Sequence, residues 1–347
     1  MYGLIGTSEI LLEEDSSNVF QGMTRREFDE LGSEGGDAEA LSKLESVINH
    51  NLSLTKKIIS HCAELGIVNY RLSNSIFSLV SDPTVNISLG DLPSYNTIVD
   101  KIKDIGKGAK SVGISLSIHP DGFNSLASEA EEISEKTIKE FNFHAWFLDI
   151  LGCQQNLSSP ICIEIGEQVS VNDKGEYYHD DFIQFVDRFY SSFKKLDKGA
   201  QRRIALDCDD QGTWNCYRLF KYFHVYCLEE YGHGFALVYD NLHDKCNPSE
   251  LVDKSLDQEV NIGAFHETWG GVIPLFRWSE GVSGTAKHAD YLSTPVPTFD
   301  YQIKWECDVR KGDLAIAKMM EPEPEEKLTE EELRKLTRER YNAIYDQ

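Results

Sequence analysis

The segment "ALVYDNLHDK", Ala236 to Lys245, ends an apolar run on a carboxylate, Asp240, and places an imidazole three residues on, at His243. A single D-x-x-H says little, because surface loops produce it by chance. Here the pattern recurs. "GISLSIHP" ends in His119, "ICIEIGE" carries Glu164 and Glu167, and "RIALDCDD" carries Asp207, Asp209 and Asp210. "YQIKWECD" carries Glu306, and "AKHADYL" offers His288. Carboxylates that converge on one cavity repel each other and resist desolvation. A divalent cation relieves both problems. Mixed carboxylate and imidazole ligands suit Mn²⁺, Zn²⁺ or Fe²⁺ better than Ca²⁺. Two or more ions about 3.5–4 Å apart would clamp the attacking and leaving oxygens of a phosphoryl transfer.

Other polar residues read as structural. Asp209 and Asp210 are expected to cap the next helix. His144, in "FNFHAWFLD", lies on an apolar helical face and reads as a core histidine. His50, His61, His224 and His233 fall in helices or at their ends, away from the strand ends. His179 and His266 read as loop residues.

These residues need elements to bring them together. Eight short runs rich in Ile, Val, Leu and aromatics begin at Tyr2, Ile67, Gly113, Ile161, Arg203, Phe235, Val272 and Tyr301, a composition that suits buried strands. Helical patterns lie between them at Leu41–Leu65, Tyr95–Lys110, Ser134–Leu151, His179–Leu196, Trp214–Tyr231 and Pro248–Leu256. "SEKT" at Ser134 and "NPSE" at Asn247 read as helix entries. Gly66 and Gly152 read as helix exits. Strands alternating with helices predict an α/β fold with a parallel sheet. Eight such units in residues 1–320 predict one (β/α)₈ TIM barrel, whose strand ends converge at a single mouth. A doubly wound sheet would call for a G-x-G-x-x-G turn, and the chain has none after a strand. Residues 321–347 predict an acidic, Pro-broken linker and a C-terminal helix. Thr329 and Glu332 form its capping box, and Leu333, Leu336 and Tyr341 form its apolar stripe.

The composition sets limits. The 347 residues, 41% of them hydrophobic, are enough for one large core. No run of about 18 apolar residues predicts a membrane span, and the N-terminus has no signal-peptide pattern. Eight cysteines without a C-x-x-C pair suit free thiols in a reducing cytoplasm. The net charge of −24 argues against indiscriminate binding to polyanions.

At its strand ends the chain resembles the UV damage endonuclease family. The resemblance runs from about Lys43 to Lys318. It is carried by "NYRLSNSIFSLVSDP", "SLSIHPDGFNSLAS", "FNFHAWFLDILG", "RIALDCDD", "VYDNLH", "PLFRWS" and "KWECDVRKGDLAIAKM", in this order. It implies a (β/α)₈ barrel related to endonuclease IV and to xylose isomerase-like barrels. It also implies an endodeoxyribonuclease that nicks damaged double-stranded DNA just 5′ to photolesions and some abasic sites. The implied cofactor is a cluster of divalent metals, with Mn²⁺ favoured over Mg²⁺, Zn²⁺ or Co²⁺.

Residue by residue, the resemblance assigns metal ligation to His119, Asp240, His243, His288 and Glu306. Asp207 replaces a bridging Glu, and Glu164 replaces a His. Asp207, Asp240 and Glu306 are then the catalytic carboxylates. Phe123 matches an aromatic that probes the damaged base pair, and Asn124 beside it joins the expected DNA contacts with Arg71 and Arg277. The chain departs from the pattern at Asp82, where the family has His, at Leu275, where it has Lys, and at Gly122, where it has Gln. Arg277 stands at a ligand His, and a guanidinium has no lone pair to give a metal. It suits a phosphate instead.

The positive charge for DNA is expected from Arg25, Arg26, Arg71, Lys245, Arg277 and Lys287. Two further basic clusters, Lys101, Lys103, Lys107 and Lys110, and Lys194, Lys195, Lys198, Arg202 and Arg203, precede strands and read as solvated helix faces. A soluble cytoplasmic monomer is expected. Two other readings fit the same barrel: a non-catalytic DNA- or protein-binding descendant, and a metal-dependent sugar isomerase or epimerase.

Overall fold

The computed structural model describes residues 1–80, 87–120, 122, 124–170, 178–251, 254–255, 258–297 and 299–321. Asp82, Phe123 and the expected C-terminal linker and helix lie outside the described residues.

The eight apolar runs form eight strands: β1 (Tyr2–Ile5), β2 (Asn69–Leu72), β3 (Ser115–Ile118), β4 (Ile161–Ile163), β5 (Ile204–Asp207), β6 (Ala236–Val238), β7 (Leu275–Trp278) and β8 (Lys304–Cys307). They pair in parallel in the order β6-β5-β4-β3-β2-β1-β8-β7. The ring closes between β6 and β7 by a parallel bridge from Asp240 to Arg277 and a 2.8 Å hydrogen bond from Arg277 N to Tyr239 O. The result is the expected (β/α)₈ barrel. Residues two apart on each strand face the same side, so Asn69 and Arg71, Ser115 and Ser117, and Glu306 and Asp308 form rows directed one way.

The helices between the strands bury their apolar stripes on the barrel. The longest, Asp37–Glu64, buries Leu44, Val47, Ile48, Leu52, Ile58, Ile59 and Cys62, a helical spacing that presents one continuous face. It exits through Gly66 at φ +73, the left-handed conformation that glycine adopts without a Cβ penalty. His144 is buried on the helix Glu131–Ile150, as expected. Among the described residues, which include all eight cysteines, none of the thiols is paired, and no helix is long and apolar enough to cross a membrane.

Several sequence expectations need correction. His266, read as a loop residue, lies in the helix Gln258–Glu267. The helix Glu131–Ile150 starts before Ser134, whose hydroxyl donates to Glu131 O at 3.0 Å from inside the first turn. Among the described residues of 248–256 there is no helix. A short antiparallel pair, Glu250–Leu251 with Lys254–Ser255, stands there, followed by a helix at Gln258–Glu267. The presumed cap side chains are committed elsewhere: Asn247 Nδ2 donates to Asp209 O at 3.2 Å, and Ser249 Oγ accepts from Tyr217 N at 2.8 Å. Finally, Arg203 is not solvated. It is fully buried, with Nη2 2.6 Å from Asp149 Oδ1 and further bonds to the carbonyls of Ala145 and Cys153.

Candidate active site

Strand ends β2 to β8 deliver a buried polar cluster to the C-terminal mouth. Asp207 and Asp240 are 0% exposed, Glu306 1%, Arg277 4% and Arg71 9%. Each position follows from local structure. Asp207 is the last residue of β5. Asp240 follows β6 and caps the short helix Asn241–Cys246, its Oδ1 accepting from Leu242 N at 2.8 Å and His243 N at 3.1 Å. That cap fixes the turn that carries His243. The D-x-x-H spacing is therefore an N-cap that also aims an imidazole.

The His243 ring is held in one tautomer. Its Nδ1 lies 2.6 Å from Cys208 O, and a carbonyl oxygen only accepts, so Nδ1 carries the proton. Nε2 then faces Asp240 Oδ2 at 3.8 Å. Ligand atoms of Asp207, Cys208 and His243 lie within 4.8 Å of one another. Cys208 is buried in the apolar core, and its thiol faces the Asp240 carbonyl oxygen at 3.9 Å. The carboxylate and the imidazole are the better cation ligands.

Several shielded atoms here have no hydrogen bond: both carboxylate oxygens of Asp207, Asp240 Oδ2, His119 Nε2, and Nε and Nη2 of Arg277. Buried polar atoms are rarely left so. Asp207 does have a charge partner, since its Oδ2 lies 2.6 Å from Arg277 Nη1. Burial pushes the Asp207 carboxyl up to about 7, with Arg277 opposing it. Burial, followed by the charges of Arg277 and Arg71, holds His119 well below its usual range. A neutral imidazole with a bare nitrogen is a competent metal ligand. Asp207 and His243 thus offer a carboxylate and an imidazole within 4.8 Å of each other, and Asp240 Oδ2 and His119 Nε2 are further shielded ligand atoms of a chemistry that suits a divalent cation.

Glu306 is different, because its oxygens are already in use. Oε2 accepts from Arg71 Nε at 2.7 Å and also from Nη2. Oε1 accepts from Asn69 Nδ2 at 3.1 Å and Ser117 Oγ at 2.8 Å. Arg71 is thus tied inside the barrel and reaches Asp308 Oδ2 at 3.9 Å. His288 Nδ1 lies 3.8 Å from Asp308 Oδ1 on the rim. Glu164 sits beside Gly122, where a Cβ would come within 3.2 Å of its Oε2. Asn124 is half-buried beside the β4 exit, and its carbonyl packs against Gly166.

The residues that sequence reasoning missed are Asn69, Ser117 and Asp308. Each stands two positions from a neighbour on a strand or its extension, and that period-two spacing was the available signal. Asp209 and Asp210 cap no helix: the next one, from Cys216, is capped by Asn215. Asp209 Oδ2 accepts from Gln168 at 3.2 Å.

Comparison with known proteins bears on this mouth. A UV DNA damage endonuclease from Bacillus velezensis is 27% identical over 296 residues, covering 82% of this chain and 83% of the relative. One from Bacillus cereus strain Q1 is 27% identical over 260 residues, covering 73% and 72%. The crystal structure of SacUVDE shares the fold with a TM-score of 0.70 at 20% identity, over 92% of this chain and 96% of that one. The family model described as UV-endonuclease UvdE matches residues 2–339, and the chain belongs to that family.

Proposed function

We propose that the chain is a metal-dependent DNA repair endonuclease that nicks the backbone of damaged duplex DNA 5′ to UV photolesions or other distorting damage. One observation carries the reading: Asp207, Asp240 and His119 present shielded ligand atoms without hydrogen-bond partners at the mouth of a barrel of this family. Asp207, Asp240, His243 and His119 would hold the cation, with Glu164 and His288 nearby, and Mn²⁺ suits such a mixed set. When bound, the cation supplies Lewis acidity toward a phosphate oxygen.

The chain's own groups do the rest. The Asp240 cap and the Cys208 carbonyl fix the His243 ring, so no reorientation is needed on binding. Nε and Nη2 of Arg277 are donors without a partner; they would donate charge-assisted hydrogen bonds to a phosphate oxygen. Glu306 acts through Arg71, holding that guanidinium against the wall of the mouth. Asn124 belongs to the damage-contacting loop, and the Phe123 assignment adds stacking against an opened base pair. A poorly stacked lesion costs less to open, which favours damage over sequence. Reducing cytoplasm suits the unpaired thiols, and a monomer suffices because all these residues lie in one chain.

Nicking of an end-labelled duplex carrying one photodimer, with Mn²⁺ or with EDTA at low salt, tests this. A Mn²⁺-dependent cut immediately 5′ to the dimer is expected. No cut by folded, metal-loaded protein would overturn the substrate. The buried arginine–carboxylate pairs favour one competing reading, a non-catalytic descendant, and protein that binds no metal and leaves the dimer uncut would support it.

A further inference from the structure

Two buried guanidinium groups stand inside the ring of acids. Arg277 lies on Asp207, and Arg71 on Glu306, at the ends of strands that all converge on the mouth. Each occupies a place where a carboxylate would otherwise need a cation. Glu306 has four donors on its two oxygens, which fills the lone-pair sites a carboxylate offers. A metal at Glu306 would have to displace Arg71. A dication on the Arg277 side of Asp207 would meet a fixed positive charge at a few ångströms in a poorly solvated site. By contrast, Asp207 Oδ1, Asp240 Oδ2 and His119 Nε2 are unfilled, and His243 presents Nε2 beside Asp240.

We infer that the mouth holds a single divalent cation, at Asp207, Asp240, His243 and His119, and that Arg277 and Arg71 replace further cations as built-in counter-charges. This rests on the metal-dependent reading above but concerns the count of ions, not the substrate. Arg277 then has two tasks. Nη1 balances Asp207, while Nε and Nη2 remain for an anion such as a phosphodiester.

The test is Mn²⁺ titration of the full chain after chelator treatment and dialysis, followed by calorimetry and electron paramagnetic resonance, with nicking measured on the same samples. Wild type is expected to bind a single Mn²⁺ with the resolved hyperfine pattern of an isolated ion. Arg277→Lys keeps the charge and should keep that count. Arg277→His removes the fixed charge and adds a ligand, so Mn²⁺ content should double and the spectrum broaden by spin coupling.

Two or more coupled ions on wild type would overturn the inference, as would no bound Mn²⁺ at all. So would a folded Arg277→His chain that still takes only one. Should Arg277→His fail to fold, Asp240→Asn decides instead. It keeps the helix cap and should lose the ion; full retention would place the ion elsewhere and refute the assignment. A single ion without nicking would leave the count standing and remove the DNA reading, whereas nicking with two coupled ions would do the reverse.

Discussion

Glu306 and Arg71 meet across a strand that lies between them. Glu306 is on β8, Arg71 on β2, and β1 separates the two, with Gly3 paired to Glu306 on one side and to Asn69 on the other. A Cβ at Gly3 would lie 3.2 Å from Asn69 Cβ and 3.3 Å from Glu306 Cγ. The missing side chain is what lets the carboxylate cross β1 to its donors. Gly3→Val should therefore overpack this spot and cost about 1–3 kcal/mol. Arg71→Ala should cost more, about 3–5 kcal/mol, because it strands a buried carboxylate. Urea denaturation of the two variants checks the order. A neutral Gly3→Val would mean that the crossing has room to spare.

A second glycine sets the loop that carries Asn124. Gly166 has φ +82, and a Cβ there would lie 2.4 Å from Asn124 O. Gly166→Ala should cost at least about 1–2 kcal/mol from backbone conformation alone and should push Asn124 and Ser125 away from Gly166. Binding of photodimer duplex, followed by anisotropy, should weaken more than Mn²⁺ binding does. Equal losses in both would remove the loop from DNA recognition.

The barrel was legible because its strands are short apolar runs, most of them followed by a polar residue, and those ends meet at one mouth. Asp207, Asp240, His243 and Glu306 lie at that mouth for this reason. Partners were not legible. Arg71 and Arg277 read as DNA contacts, but the acids of the barrel that hold them, Glu306 and Asp207, could not be read, since a linear sequence does not show which strands become neighbours across β1 or β6. Arg203 failed in the same way: its partner Asp149 is on a helix more than fifty residues away. The Pro248–Leu256 helix failed for a related reason: Ser249 Oγ, an acceptor able to cap, takes Tyr217 N, and the Asn247 side chain is turned to donate to Asp209 O.

The His233 imidazole gives a pH signature remote from the mouth. It precedes β6 and stacks on Phe193 with ring centroids 5.1 Å apart. Burial, then the neighbouring His224, lowers its pKa below the usual value of 6.5. The folded state thus favours the neutral ring. This contribution to stability is present above about pH 6.5 and is lost as pH falls through the depressed folded value. His233→Phe should flatten the stability–pH curve between about pH 5 and 7 while leaving stability at pH 8 nearly unchanged. Identical slopes for wild type and variant would assign the titration elsewhere.

Asp240 carries two separable duties, and two substitutions divide them. Oδ1 caps the Asn241–Cys246 helix, while Oδ2, beside His243, has no hydrogen bond. Asparagine keeps an acceptor for Leu242 N and His243 N but loses the charge at the second position. Asp240→Asn should therefore fold like wild type yet gain nothing from Mn²⁺. Wild type at a free Mn²⁺ concentration of 100 times its dissociation constant should gain about 2.7 kcal/mol, all of it removed by EDTA. Asp240→Ala should lose the same Mn²⁺ response and, in addition, about 1 kcal/mol from the missing cap. Thermal unfolding with and without EDTA separates the two effects. An Asp240→Asn chain still stabilised by Mn²⁺ to the wild-type extent would show that Oδ2 does not face the ion, and the ligand set would then have to be rebuilt around Asp207 and His119.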